Sequence, residues 1–152
     1  MDTPQTPLNE RLLRAWLRTI TILNSDRIAS ELPLNESIIC NILYQNERLH
    51  PDRKLTATDL CRETKIKKSQ MNRTLKNMER RQLIRRERSL RDRRNIYIIP
   101  IEGHNEIYWR QHSRVLAIVD NVIDKLGEDE AGELLATLHR VCDYTEEFTE
   151  HD

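Results

Sequence analysis

Glycine is scarce: 152 residues contain only Gly103, Gly127 and Gly132. That excludes a glycine-rich phosphate loop, which needs several closely spaced residues where backbone can approach an anion. Cysteine is also thinly spread, at Cys40, Cys61 and Cys142, an odd number with no Cys-x-x-Cys pair. A disulfide framework is therefore not expected, and a reducing compartment is. Each cysteine sits in a helical pattern, where it reads as a small buried hydrophobe. No apolar run approaches the roughly 20 residues that span a bilayer. The first nine residues are polar and lack the apolar core of a signal peptide. The expectation is a soluble, cytoplasmic protein. No Ser/His/Asp constellation or metal motif with usable spacing is present, so neither an enzyme nor a cofactor or metal site is expected.

What the chain does have is charge, in an uneven distribution. Hydrophobic residues make up 38% and charged residues 33%, a balance suited to helices with narrow apolar stripes. It also suits a chain that completes its core by pairing with a second copy. The formal net charge is zero. Between Arg62 and Arg94, however, stand 14 Lys/Arg and 4 Asp/Glu, a net of +10, and the remainder carries −10. From Glu128 onward nine acidic residues face Arg140 alone. One part of the fold thus carries a cationic field while another repels polyanions. Duplex DNA bears about one charge per 1.7 Å, so a concentrated basic face matches it.

The spacing of apolar residues predicts mainly helix. Leu8 to Leu32 reads as one amphipathic helix carrying Leu12, Trp16, Ile20 and Leu23, stopped by Pro33. Asn35 is placed to cap a second helix with Ile38, Ile39, Ile42 and Leu43. His50-Pro51-Asp52-Arg53 reads as a turn. Thr56 and Asp59 then form a capping box, with Leu55 and Leu60 at the staple positions, so a short helix is expected to about Thr64. A second start follows a tight corner, with Ile66 and Met71 repeating the staple spacing and a helix running to about Arg81. Lys67 would be its cap residue, a poor choice by propensity. Lys67, Lys68, Ser69 and Gln70 nevertheless crowd a helix N-terminus, where free N–H groups attract phosphate.

On that second helix Met71, Leu75 and Met78 share one face, leaving Gln70, Asn72, Arg73, Lys76 and Asn77 to others. Two short helices at a tight corner, the second presenting amides and cations, is an arrangement that reads a major groove. Asn and Gln can bond adenine edges, and Arg guanine edges. Leu83–Arg88 and Asn95–Pro100 read as two hairpin strands, with Arg86 and Arg88 placed opposite Ile84. The tip, Ser89 to Arg94, holds Arg91, Arg93 and Arg94 around Asp92. Such a tip suits a minor groove, with Asp92 orienting a neighbouring arginine by a charge-assisted bond. From Gly103 the chain returns to helix, with Ile107, Val115, Ile118, Val119, Val122 and Leu126 in a stripe ended by Gly127. Glu128, Asp129 and Glu130 favour the start of a last helix carrying Leu134, Leu135, Leu138 and Val141.

This order of elements resembles the MarR-type (multiple-antibiotic-resistance) regulators, from about Leu8 to Thr145 and most densely from Leu55 to Gly103. Ser69, Asn72 and Arg73 match the Ser-x-x-Thr/Asn-Arg of that family's recognition helix, and Asp92-Arg93-Arg94 its Asp-x-Arg wing motif. Gln82 departs from a usual C-capping glycine, Pro100 from a common threonine, and Lys67 from a small polar cap. The resemblance implies a mainly α fold: a winged helix-turn-helix with a small β-hairpin wing at 34–102, and dimerisation helices at 1–33 and 103–152. It implies a homodimer on palindromic double-stranded DNA, commonly a repressor, with Asp92 positioning Arg94. Expected DNA contacts are Lys67, Lys68, Ser69, Gln70, Asn72, Arg73, Lys76, Arg91, Asp92, Arg93 and Arg94.

The resemblance also implies a pocket for a small aromatic effector. Trp16, Tyr44, Trp109 and His112 could line it, and plain core packing is the alternative reading of the same four. His104 and His112 lie two helical turns apart and read as exposed histidines rather than zinc ligands. The first helix has no cysteine, which disfavours thiol sensing. A winged helix that binds a protein partner is the rival function, and salt dependence of DNA binding separates the two.

Overall fold

Leu60, Met71, Leu75 and Met78, all fully buried, are the inner faces of two short helices that meet at a corner. Around them close Leu32, Ile39, Cys40, Leu43, Leu55, Leu83, Ile84, Ile98 and Tyr108, one contiguous core. In this computed structural model the described residues are 6–25, 27–28 and 31–150, with the Glu150 side chain excluded. They fall into two compact units, one through His112 and the other from Ser113. The first contains α1 (Leu8–Leu23), α2 (Leu34–Leu49), β1 (Leu55–Thr56), α3 (Ala57–Thr64), α4 (Lys68–Arg80), β2 (Ile84–Arg88) and β3 (Ile96–Pro100). It also holds the first turns of α5 (Glu106–Leu126), and α6 (Glu128–Glu150) lies in the second. No helix among the described residues is long and apolar enough to cross a membrane.

The first helix is shorter than its apolar periodicity predicts, ending at Leu23 rather than Leu32. Asn24 is its C-cap, and the Ser25 N–H bonds the Ile22 carbonyl at 3.1 Å. Asn and Ser side chains compete with helical hydrogen bonding and favour such turns. Residues 26, 29 and 30 of the predicted helix lie outside the described residues. Leu32 is no part of a helical stripe; it is fully buried in the core. Its buried backbone is satisfied by Gln111 of α5. The Gln111 Oε1 accepts from the N–H groups of Glu31 (3.1 Å) and Leu32 (2.9 Å), and its Nε2 donates to the Leu32 carbonyl (2.9 Å) and Ser37 Oγ (2.6 Å). Asn35 is likewise not a cap: α2 begins at Leu34 after Pro33, whose fixed φ suits the position before a helix.

The three-stranded sheet is antiparallel in the order β1-β3-β2. The hairpin strands lie where expected, but β1, two residues pairing Leu55 with Ile98 and Thr56 with Tyr97, was not legible. So short a segment has no periodicity to read. Arg86 also departs from expectation. It pairs with the buried Ile98 and so shares a face with Ile84, since side chains two apart on a strand point the same way. Its cost there is met by Glu79, whose carboxylate accepts from Arg86 Nε at 3.0 Å.

The end of α4 shows how the chain manages without a capping glycine. Gln82 takes φ +58°, the left-handed region. The Gln82 N–H bonds the Glu79 carbonyl (2.9 Å) and the Leu83 N–H the Met78 carbonyl (3.0 Å), the two bonds of a Schellman motif. Leu83 and Met78, both buried, supply the accompanying apolar contact. A side chain with a Cβ is strained there, whereas glycine is not. Gln82→Gly should therefore stabilise the fold by about 1 kcal/mol. Urea unfolding should show a higher midpoint at unchanged slope; an unmoved midpoint would show that Gln82 is not strained.

In the second unit, the rest of α5 and α6 are joined at Gly127, whose φ of +84° makes the turn. The acidic run Glu128–Glu130 occupies the first turn of α6, as its charge predicts. No described side chain of α6 is buried, and Leu116, Ile118, Val119, Val122, Leu134, Leu135, Leu138 and Phe148 are exposed. In the first unit α1 also has no buried residue, and Leu12, Leu13, Trp16, Leu17 and Ile20 are exposed.

Candidate nucleic-acid interface

The outward face of α4 follows from what its other face buries. With Met71, Leu75 and Met78 turned into the core, Lys68, Ser69, Gln70, Asn72, Arg73 and Lys76 are left exposed. The side chains of Ser69, Gln70, Asn72, Arg73 and Lys76 make no hydrogen bond or ion pair with another described residue, so their donors and acceptors are available. Asn77 differs: it is half-buried and accepts from Arg80. Lys67 occupies the N-cap position in extended conformation without a side-chain capping bond, as its chemistry predicts.

Three tethers set the angle of this helix. At its start, α3 is locked by the capping box of Thr56 and Asp59: the Asp59 N–H bonds Thr56 Oγ1 (3.2 Å) and the Thr56 N–H bonds Asp59 Oδ2 (2.9 Å). Burial works to raise the Asp59 pKa, but the bonds from Thr56, with Arg62 and Arg53 nearby, outweigh it and hold the carboxyl below its usual range. At its end, Glu79 holds Arg86 on β2. Just beyond, Arg81 Nη1 donates to Glu36 Oε2 (2.8 Å) on α2 and Nη2 to the Glu31 carbonyl (2.9 Å).

The hairpin tip is ordered from within. Ser89, almost fully buried, accepts from the N–H groups of Arg91 (3.3 Å) and Asp92 (3.2 Å) through Oγ. Arg88 Nη1 donates to the Arg93 carbonyl (2.9 Å). Asp92 braces Arg94 differently from expectation. Its Oδ1 accepts from the Arg94 backbone N–H (3.0 Å), an Asx turn, and it forms no ion pair with the guanidinium. The short aspartate side chain reaches a backbone donor two residues on more readily than a long arginine head. Arg91, Arg93 and Arg94 are exposed, and the side chain of Arg94 has no partner among the described residues. Lys68 at the start of α4, Arg94 at the end of the tip and Asn95 just beyond it line one cleft, so the start of the helix and the end of the tip open on a common face.

Of the four effector candidates, three come together. Tyr44 and Trp109 lie 5.3 Å apart by ring centroids, and Trp109 meets His112 edge-on at 5.6 Å. Trp16 does not join them; it lies exposed on α1. Tyr108, which no motif marks, is the centre of the group, stacked on Tyr44 at 5.0 Å and on His112 at 5.3 Å. Its four-residue spacing from His112 was the available signal. The Tyr108 hydroxyl donates to Asn41 Oδ1 (3.1 Å), and burial pushes the phenols of Tyr44 and Tyr108 up to about 12. The cysteines separate: Cys40 is buried, Cys61 half-buried, and Cys142 exposed rather than packed as expected. Burial pushes the Cys40 thiol up to about 12, so it is not a nucleophile near neutral pH. Among the described residues no three His, Cys, Asp or Glu side chains are grouped to hold a metal.

This geometry defines a winged helix-turn-helix protein. Residues 33–95 are similar to the MarR family model. No curated protein matches the sequence. Solved structures with the same fold include S. aureus MepR in complex with DNA, with 15% identity, TM-score 0.73, and coverage of 94% of this chain and 99% of that one. Streptococcus pneumoniae FabT in complex with DNA has 17% identity, TM-score 0.70, and coverage of 91% and 96%. The PcaV regulator of Streptomyces coelicolor with its natural ligand has 17% identity, TM-score 0.71, and coverage of 94% and 96%.

The Arg81–Glu36 tether yields a pH-dependent prediction. Glu36 is 6% exposed and Arg81 36%. Desolvation raises the Glu36 pKa, and Arg81 partly offsets this. Arg81→Ala should destabilise the fold by about 2 kcal/mol near neutral pH, less than a fully buried pair because Arg81 is partly solvated. A carboxyl with raised folded pKa contributes stability at low pH that is lost as pH rises through that pKa. The defect should therefore grow between about pH 4 and pH 7. Urea midpoints of both proteins across that range test it; a defect independent of pH would remove Glu36 from the cause.

Proposed function

We propose that the protein is a DNA-binding transcription regulator that acts as a homodimer on a palindromic operator, with repression as its output. One observation carries this reading: α4 leaves Ser69, Gln70, Asn72, Arg73 and Lys76 exposed and without side-chain partners among the described residues, while Lys68 at its start lines one cleft with Arg94 of the arginine tip. Lys67, Lys68 and Ser69 meet phosphate at the start of α4. Gln70, Asn72, Arg73 and Lys76 face base edges in a major groove. Arg91, Arg93 and Arg94 enter the adjacent minor groove, with Asp92 shaping the backbone that presents them. The DNA complexes of MepR and FabT, which have this fold, support the assignment.

The homodimer covers the apolar faces that α1 and α6 leave in water. Each helix carries an amphipathic stripe without a buried residue, and a symmetric pair satisfies both at once. An effector is proposed at the ring cluster of Tyr44, Trp109 and His112 with Tyr108, where a small aromatic molecule can stack. The ligand-bound PcaV structure supports that part by fold alone.

Fluorescence anisotropy with DNA from upstream of the protein's own gene, beside a scrambled duplex and across a salt series, tests the reading. With roughly six to ten phosphate contacts, affinity should fall about 10³- to 10⁵-fold between 50 and 200 mM salt. Arg73→Ala should cost about 1–3 kcal/mol on the native duplex and reduce its preference over the scrambled one. Light scattering should give twice the monomer mass. Weak, equal binding to both duplexes at low salt would sink the regulator reading and favour a winged helix that binds a protein.

A further inference from the structure

Between the corner of α3 and α4 and the root of the wing lies a cleft of about 620 Å³. Four cations line it: Arg62 of α3, Lys68 of α4, Arg86 of β2, and Arg94 at the end of the tip. A single carboxylate, Asp59, stands among them. That carboxylate is already engaged, since it closes the capping box with Thr56 and holds Arg62 Nη1 at 3.3 Å. Arg86 is held from behind by Glu79 through its Nε. A guanidinium has five N–H donors, so both arginines are oriented by an acid partner and keep donors for another acceptor. Lys68, Arg94 and the hydroxyl of Thr58, which also faces the cleft, have no partner among the described residues.

Four like charges around one concavity repel one another in the free protein, and an anion relieves that repulsion. The volume far exceeds a single phosphate group, and the walls include Ala57 and Ile96, apolar surface that suits a sugar. Placement supplies the rest of the argument. In duplex DNA one sugar–phosphate strand separates a major groove from the adjacent minor groove. If α4 occupies the first and the 89–94 tip the second, the dividing strand must pass between helix and wing. The cleft is that passage.

We propose that this cleft seats the sugar–phosphate strand dividing the two grooves, and that Arg62, Arg86 and Thr58 hold it together with Lys68 and Arg94. The inference rests on the DNA-binding reading above and adds three residues that the sequence did not mark as contacts. Because phosphates are the same in every sequence, these contacts fix register and affinity but carry no base preference.

Arg62→Gln is the first test, because Arg62 is exposed and its replacement leaves the capping box intact. Arg86→Gln, which also removes the Glu79 ion pair, is read only if its thermal melt matches the wild type, and Arg62→Gln decides the matter otherwise. Both are measured against native and scrambled duplexes across a salt series. The expected result is a several-fold weakening that is equal on the two duplexes. The slope of log affinity against log salt should fall by about 0.9 for each phosphate no longer neutralised. A native duplex with neutral methylphosphonates scanned through each strand should weaken the wild type at one position and leave Arg62→Gln indifferent there. Unchanged affinity and slope in Arg62→Gln overturn the inference, as does a weakening confined to the native duplex. Inorganic tripolyphosphate provides the remaining arm. If it binds the wild type and not Arg62→Gln while DNA affinity is equal in both, the cleft takes a free phosphate and the DNA seat is wrong. Failure of the underlying reading looks different: the wild type itself would bind no duplex in a salt-dependent way.

Discussion

The burial of one backbone segment, Glu31–Leu32, is the constraint on which the arrangement of the first unit depends. Leu32 is fully buried, and its peptide groups go out of water with it. Unpaired, each would oppose folding by about 1–3 kcal/mol. The side chain of Gln111 satisfies them, accepting two N–H groups and donating to a carbonyl and to Ser37. Glu31 adds a bidentate grip on Arg110 of α5, and its carbonyl receives Arg81 from the end of α4. The start of α5, the start of α2 and the end of α4 therefore converge on two residues, and the pitch of α4 follows from that junction.

A division of labour among the charges follows. Three carboxylates in or facing the basic segment are used on the scaffold: Glu36 on Arg81, Glu79 on Arg86, and Glu87 on Lys54 and Arg85. Each neutralises a cation that shapes the winged helix. Lys68, Arg73, Lys76, Arg91, Arg93 and Arg94 are left without an acidic partner among the described residues, and they lie on α4 and the tip. The excess of positive charge is thus not spread over the surface but collected where two elements protrude. The same face tolerates weak local choices, since Lys67 does not cap its helix and Gln82 bears a left-handed backbone. Buried contacts on the opposite side of α4 hold it in place regardless.

Much of this is legible from local chemistry. The capping box, the paired Leu55 and Leu60, the Met71-Leu75-Met78 face and the bounds of the hairpin depend on residues a few positions apart, and they stand where spacing places them. The departures share a cause as well. Periodicity carries α1 on to Leu32, because the pattern does not reveal that Leu32 belongs to a different packing partner. Reading the strand by charge puts Arg86 on the outer face although alternation sets it beside Ile84, because an arginine beside a core looks improbable until Glu79 is seen beneath it. Charge alone pairs Asp92 with a guanidinium, whereas the nearer backbone donor takes it.

The amino-acid sequence by itself determined the winged-helix pattern, the collection of positive charge between Arg62 and Arg94, and the side of α4 that faces outward. These follow from short-range rules: caps, staples, turns, and a repeat of three to four residues. Only the tertiary structure decided which groups meet across long separations. It brought Gln111 to Leu32, Arg81 to Glu36, β1 to β3, and Tyr108 between Tyr44 and His112. It also gathered four cations from three elements and the tip around one cleft. Such contacts depend on burial and on hydrogen bonds that only an assembled core forces into existence, and no local pattern encodes them.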